Sequence, residues 1–171
     1  MTLWPPMLVI ALAVKLQDGG PALFGHVRVG KDLRHFKMWK FRSMVKDAAT
    51  IGSFRTAQND PRITKLGAFL RKSSLDELPQ LLNVLKGEMS LIGPRPDTPA
   101  QEADYTSEQW LARHKVRPGV AGLAQVMGRS SLSAEQRTAY DLQYAQEASF
   151  WLDMKICVKA VGVILHRKGA F

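Results

Sequence analysis

Residues 3–14 form an almost unbroken apolar run that contains Pro5 and Pro6. Two residues without backbone donors suit a helix start or a hinge. A dozen helical residues reach about 18 Å, against roughly 30 Å of hydrocarbon, so the run cannot cross a bilayer alone. It reads either as a buried core helix or as a helix dipping into one leaflet, with Lys15 held at the headgroup layer. Met1 and Thr2 provide no basic stretch ahead of it, which argues against a signal peptide.

Turn chemistry at residues 17–21 closes this segment. Residues 22–29 and 36–44, rich in aromatic and β-branched side chains around Gly30, Lys31 and Asp32, predict an antiparallel strand pair. Residues 47–60 read as a mobile polar loop. A short basic amphipathic helix is expected over 63–72, and a second over 77–86 with Gly87 as its stop. Residues 92–99 hold three prolines and must be extended or turning. Helices follow over 107–114, 134–146 and 150–166, the middle one opening on a Ser133/Gln136 capping box. The last is apolar nearly all round, which means either core burial, the favoured reading, or contact with lipid. No repeat or low-complexity tract interrupts the pattern.

Charge changes the picture more than composition does. Lys and Arg number 24 against 15 Asp and Glu, a formal net charge of +9, which favours polyanionic partners such as phosphates, nucleic acid or an anionic membrane surface. The one cysteine, Cys157, excludes an intrachain disulfide and a cysteine-based zinc site. The four histidines lack metal-ligand spacing, and neither a Walker A loop nor a dinucleotide glycine pattern is present.

The densest chemical signal runs from Arg71 to Gln80. Pro79 cannot donate within a helix, so it belongs in a first turn, which places Asp76 or Glu77 at a helix N-terminus. Capping explains an acidic residue there. An adjacent Asp–Glu pair between Arg71-Lys72 and the Gly93-Pro94-Arg95-Pro96 stretch also suits phosphoryl chemistry, where one carboxylate attacks and its neighbour holds a cation. Arg95, framed by prolines, is a rigid guanidinium suited to bidentate phosphate binding. Residues 114–125 place Lys115 and Arg117 in a Pro/Gly loop, which reads either as an ordinary surface turn or as a loop whose amides and cations contact phosphate.

Several blocks carry a family resemblance: Gly30 with residues 36–44, residues 60–64, 70–81 and 85–96, residues 114–119 through Gly128-Arg129, and 149–153. In order and over nearly the whole chain, they resemble the bacterial sugar transferases, monotopic phosphoglycosyl transferases acting on polyprenol phosphate. The resemblance implies transfer of a sugar phosphate from a UDP-sugar to undecaprenyl phosphate with release of UMP, starting exopolysaccharide or other glycan assembly. It implies Asp76 as nucleophile, forming an aspartyl phosphosugar intermediate, Glu77 as the Mg²⁺ ligand, and Arg71, Arg95 and Asp153 as further active-site positions.

The expected fold is a helix-rich α+β domain, compact and single, with a small antiparallel β-hairpin. Residues 1–16 are expected to be a membrane-associated helix, the second limb of a re-entrant helix shortened here, with Trp4-Pro5-Pro6 where the family has Ser-Pro. Residues 17–171 are expected to be the catalytic domain. The expected location is the cytoplasmic face of a bacterial inner membrane, with membrane lipid and other glycan-assembly enzymes as partners and no nucleic acid. The rival classes are an inactive scaffold of a polysaccharide assembly complex and a basic nucleic-acid-binding protein, for which no reader motif is found.

Overall fold

The structure, a computed structural model, describes residues 4–51, 60–128 and 131–165. It is helix-rich with small sheets, and two compact units alternate along the chain. Of the described residues, the first takes in 4–25 and Trp39–Pro79, and the second takes in His26–Met38 and 80–165.

In the first unit, α1 (Trp4–Asp18) lays Val14 into a small core with Phe41 and Leu70, and Met7, Ile10 and Ala11 pack beside it. Its other side leaves Trp4, Leu8, Val9, Leu12 and Leu16 exposed, so the core-helix reading holds for one face only. Asp18 ends the helix by accepting a hydrogen bond from Gly20 N and pairing with the Arg42 guanidinium. That pairing holds the Asp18 carboxyl below the usual carboxylate range.

The strand pair forms as expected, β1 over Leu23–Val29 and β2 over His35–Phe41. Its connection includes Asp32 and Leu33, both at positive φ. The second strand stops at Phe41 rather than Met44, because Met44 turns away to bridge Ile63. A short helix α2 (Ala48–Ile51) occupies part of the expected polar loop, whose residues 52–59 lie outside the described residues. Next comes α3 (Lys65–Ser73), capped by Thr64, whose hydroxyl accepts from Gly67 N at 2.9 Å.

In the second unit, α4 (Gln80–Leu85) ends at Gly87, whose φ of +75° reverses the chain. The fully buried Asn83 side chain donates to Lys37 O at 2.9 Å and to Glu88 Oε2 at 2.6 Å. Phe36, Met38 and Met89 form a buried apolar cluster of the same unit, with Val84 and Val120 packed against it. A parallel pair follows that the sequence pattern does not disclose: β3 (Ser90–Ile92) beside β4 (Gly119–Ala121), in register Ser90–Gly119 and Ile92–Ala121. Between them lies α5 (Ser107–Arg113), and after them the short α6 (Leu123–Met127). The Ser133/Gln136 capping box opens α7 (Ala134–Glu147), with Gln136 N donating to Ser133 Oγ and Ser133 N to Gln136 Oε1.

The last helix, α8 (Phe150–Leu165), corrects the expectation of core burial. Ile156 is buried with Ile92, Leu123 and Tyr144, and Leu152 packs against them. Phe150, Trp151, Met154, Val158 and Val161 are exposed. A helix apolar on every face can turn only one of them into a core of this size. No described helix is long and apolar enough to cross a membrane.

Candidate active site

The acidic pair occupies a tight turn rather than the start of a helix. Ser74 takes a left-handed conformation (φ 58°, ψ 15°), ends α3, and turns the chain into a 3₁₀ turn over Leu75–Glu77. Glu77 N donates to Ser74 O and Leu78 N to Leu75 O. Pro79 has no donor to continue the ladder, so the helix expected from residue 77 begins at Gln80. Asp76 is thereby buried, with 8% of its surface exposed, beside a half-buried Glu77.

Two cations of the same unit serve this turn. Lys40, on β2, places Nζ 2.7 Å from Glu77 Oε1, with both side chains about four-fifths buried. Arg71, in the last turn of α3, donates Nε to Ser43 Oγ at 2.8 Å. Burial draws the Arg71 guanidinium below its ordinary range, while the nearby Asp76 and Asp60 charges oppose that shift. Ser43 is fixed in turn: its carbonyl accepts from Thr64 N at 3.2 Å. Gly67 packs directly on this residue, since a Cβ there would fall 1.9 Å from Ser43 O. Sequence reasoning assigned no role to Lys40 or Ser43. The available signal was Lys40 between Trp39 and Phe41 in a predicted strand, a cation set among aromatic residues.

The donor set suits Mg²⁺, which takes one or two protein carboxylates and completes its shell with water and substrate phosphates. Glu77 and Asp76 offer two carboxylates on consecutive residues of a turn. Among the described residues, no group of three His, Cys, Asp or Glu side chains gathers into an all-protein cage.

Arg95, Lys115, Arg117 and Asp153 belong to the second unit. Arg95 is exposed while its neighbours from 92 to 98 are all buried, which directs its side chain outward from a packed frame. Lys115 and Arg117 are exposed on either side of a half-buried Val116. Their loop and the Arg95 loop meet backbone to backbone: Gly119 N donates to Pro94 O and Gly93 N to Ala121 O, both at 2.9 Å. Only glycines allow this approach, because a Cβ on Gly93 would lie 2.4 Å from Arg117 O and one on Gly119 2.1 Å from Gly93 N. Asp153, in the first turn of α8, sits with Oδ1 2.7 Å from the Tyr144 hydroxyl. Burial, with the Asp153 charge as a further cause, pushes the Tyr144 phenol up, so it stays protonated and is available as a donor. Tyr144 was not singled out in the sequence.

A buried Asp76 beside a half-buried Glu77 on a tight turn, served by ammonium and guanidinium groups, fits a class of proteins that handle phosphate esters. Residues 1–167 match the bacterial sugar transferase family, and the chain belongs to it. It is 46% identical over 174 residues to the UDP-glucose:undecaprenyl-phosphate glucose-1-phosphate transferase of Escherichia coli (strain K12), covering 98% of this chain and 38% of that protein. It is 43% identical to the UDP-galactose-lipid carrier transferase of Erwinia amylovora, covering 100% of this chain and 39% of that protein. With the exopolysaccharide production protein ExoY of Rhizobium meliloti (strain 1021) it shares 38% identity, over 98% of this chain and 80% of that one. The chain thus spans under two fifths of the first two relatives and four fifths of the third.

Proposed function

We propose that this chain carries the catalytic centre of a phosphoglycosyl transferase that moves a sugar phosphate from a UDP-sugar to undecaprenyl phosphate. The relatives' names supply the substrate classes. The observation that carries the chemistry is the buried Asp76 carboxylate on a fixed turn, next to the Glu77–Lys40 pair. An Asp76 oxygen attacks the β-phosphorus of the UDP-sugar. A phosphorus–oxygen bond forms to the carboxylate, and the bond from that phosphorus to the bridging oxygen breaks, its electron pair leaving with UMP. An oxygen of undecaprenyl phosphate then attacks the same phosphorus, and the Asp76 carboxylate is released unchanged.

Attack of an anion on a phosphoryl group needs local positive charge. In the unit that holds Asp76, Lys40 and Arg71 provide it. Arg95, Lys115 and Arg117 are exposed cations of the other unit, suited by themselves to nucleotide or lipid phosphate. Mg²⁺, when bound, neutralises charge on the diphosphate, and Glu77 is the carboxylate that would hold it. Burial of Asp76 keeps water from the acyl phosphate between the two steps. The exposed apolar faces of α1 and α8 support docking on the cytoplasmic surface of a bacterial inner membrane, where the lipid substrate resides.

Asp76→Asn keeps the shape of the side chain and removes its charge. Transfer to undecaprenyl phosphate should fall by more than about a thousandfold. The wild-type protein incubated with UDP-sugar alone should gain one phosphosugar in mass on Asp76. Transfer at the wild-type rate by Asp76→Asn, or no adduct on rapid quenching, overturns the assignment.

A further inference from the structure

Residues 94–97 cannot be held by their own amides alone, because Pro94 and Pro96 have none. Their carbonyls carry the load, and each accepts from a different donor. Gly119 N donates to Pro94 O at 2.9 Å, Arg113 Nη2 to Arg95 O at 2.8 Å, Arg28 Nη1 to Pro96 O at 3.1 Å, and Val29 N to Asp97 O at 2.9 Å. The bond to Arg95 itself comes from a guanidinium that is 3% exposed.

Arg113 is clamped on two further sides. It pairs with Asp97, and its Nε and Nη2 reach Asp141 Oδ2 at 3.1 and 2.7 Å. Both acids are buried. Tyr105 closes the cluster, its hydroxyl 3.3 Å from Asp97 Oδ1 and its ring centroid 5.5 Å from the guanidinium carbon. Two carboxylates and a guanidinium removed from water cost more than apolar side chains of the same volume would. Stability therefore does not account for the cluster. Geometry does, since only a planar fork with several donors reaches Asp97, Asp141 and a main-chain carbonyl at once.

We propose that Arg113, locked between Asp97 and Asp141, is a positioning residue: it fixes the main chain at Arg95 so that the outward guanidinium meets substrate phosphate already aligned. This rests on the phosphate-binding role given to Arg95 above. Lysine at 113 keeps one positive charge between the two acids but cannot keep all three contacts.

The test combines two readouts on the full chain, with Arg113→Lys and the isosteric Asp141→Asn as independent variants. In Arg113→Lys, the amides of Val29 and Gly119, which donate to Asp97 O and Pro94 O, should exchange with deuterium roughly tenfold faster, while those of α3 stay unchanged. Transfer from UDP-sugar should fall about tenfold to a hundredfold in kcat/KM, the scale of a charge-assisted hydrogen bond. In an Arg95→Ala background the same substitution should cost less than about threefold, because the residue it aims is gone. Asp141→Asn should show the same coupling at smaller amplitude, and it decides the matter if Arg113→Lys does not fold. Unchanged exchange at Val29 and Gly119 overturns the fastening whatever the activity. Faster exchange with losses that multiply fully in the Arg95→Ala background makes Arg113 structural only and overturns the positioning. Full activity in Arg95→Ala removes the phosphate role of Arg95, and that failure is distinct because the exchange arm still reads the fastening.

Discussion

Gly67→Ala sets two effects of opposite sign against each other. In an unhindered helix interior, alanine is favoured over glycine by about 1 kcal/mol. Here the added Cβ would stand 1.9 Å from Ser43 O, 2.6 Å from Ser43 C and 2.8 Å from Ser43 Cα, where ordinary contact begins at 3.4 Å. The shortfall of about 1.5 Å is against backbone atoms, which no rotamer change can clear. Ser43 O is also the acceptor for Thr64 N, the residue that caps α3, so a shift of α3 weakens its own cap. An overlap this deep against backbone falls in the upper part of the overpacking range, about 2–3 kcal/mol, which outweighs the propensity gain. Gly67→Ala should therefore lower unfolding free energy by about 1–2 kcal/mol in a urea titration. Because Arg71 Nε is held by Ser43 Oγ, transfer activity should fall further than stability alone explains. A variant as stable as the parent, or more stable, would refute the close approach of α3 to residue 43.

Lys40→Met should cost about 1 kcal/mol of stability, since it leaves Glu77 without its 2.7 Å partner in a half-buried turn. The half-saturating Mg²⁺ concentration should drop at the same time, because the ammonium no longer competes for that carboxylate; a rise in a metal titration contradicts the role of Glu77. His114 is 4% exposed, and burial, with the Arg113 charge as a further cause, draws its pKa below the ordinary 6.5. The unfolded chain then binds more protons than the folded one just below pH 6.5, so the His114 contribution is complete above that pH and is lost as pH falls toward the folded value. Unfolding free energy from urea titrations at pH 7.5 and 5.5 should show this loss, and His114→Asn should flatten it.

Much of the chain could be read from local chemistry. The Ser133/Gln136 box, the stop at Gly87 and the hairpin around Gly30 are each specified by residues within a few positions of one another, so their spacing is enough. The parallel pair of β3 and β4 was invisible because three-residue strands show no alternation, and their partner lies some 30 residues away. The apolar faces of α1 and α8 announce burial, yet burial depends on how much core is available to receive them. Exposure of Trp151 and Val158 followed from packing alone.

The candidate site divides along the same line. Asp76, Glu77, Arg71, Arg95, Lys115, Arg117 and Asp153 stand in motifs that mark them by residue type and neighbours, which is information the sequence contains in full. Their supporting partners do not: Lys40 is 37 positions from Glu77 and Ser43 is 28 from Arg71, while Arg113 reaches Asp141 across 28. Those pairings exist only once the hairpin, α3 and α5 have packed, because a side chain's reach is a few ångströms and chain separation says nothing about it. The amino-acid order thus determined which groups are chemically competent, and the tertiary structure decided which cations hold them and which main-chain atoms keep them in place.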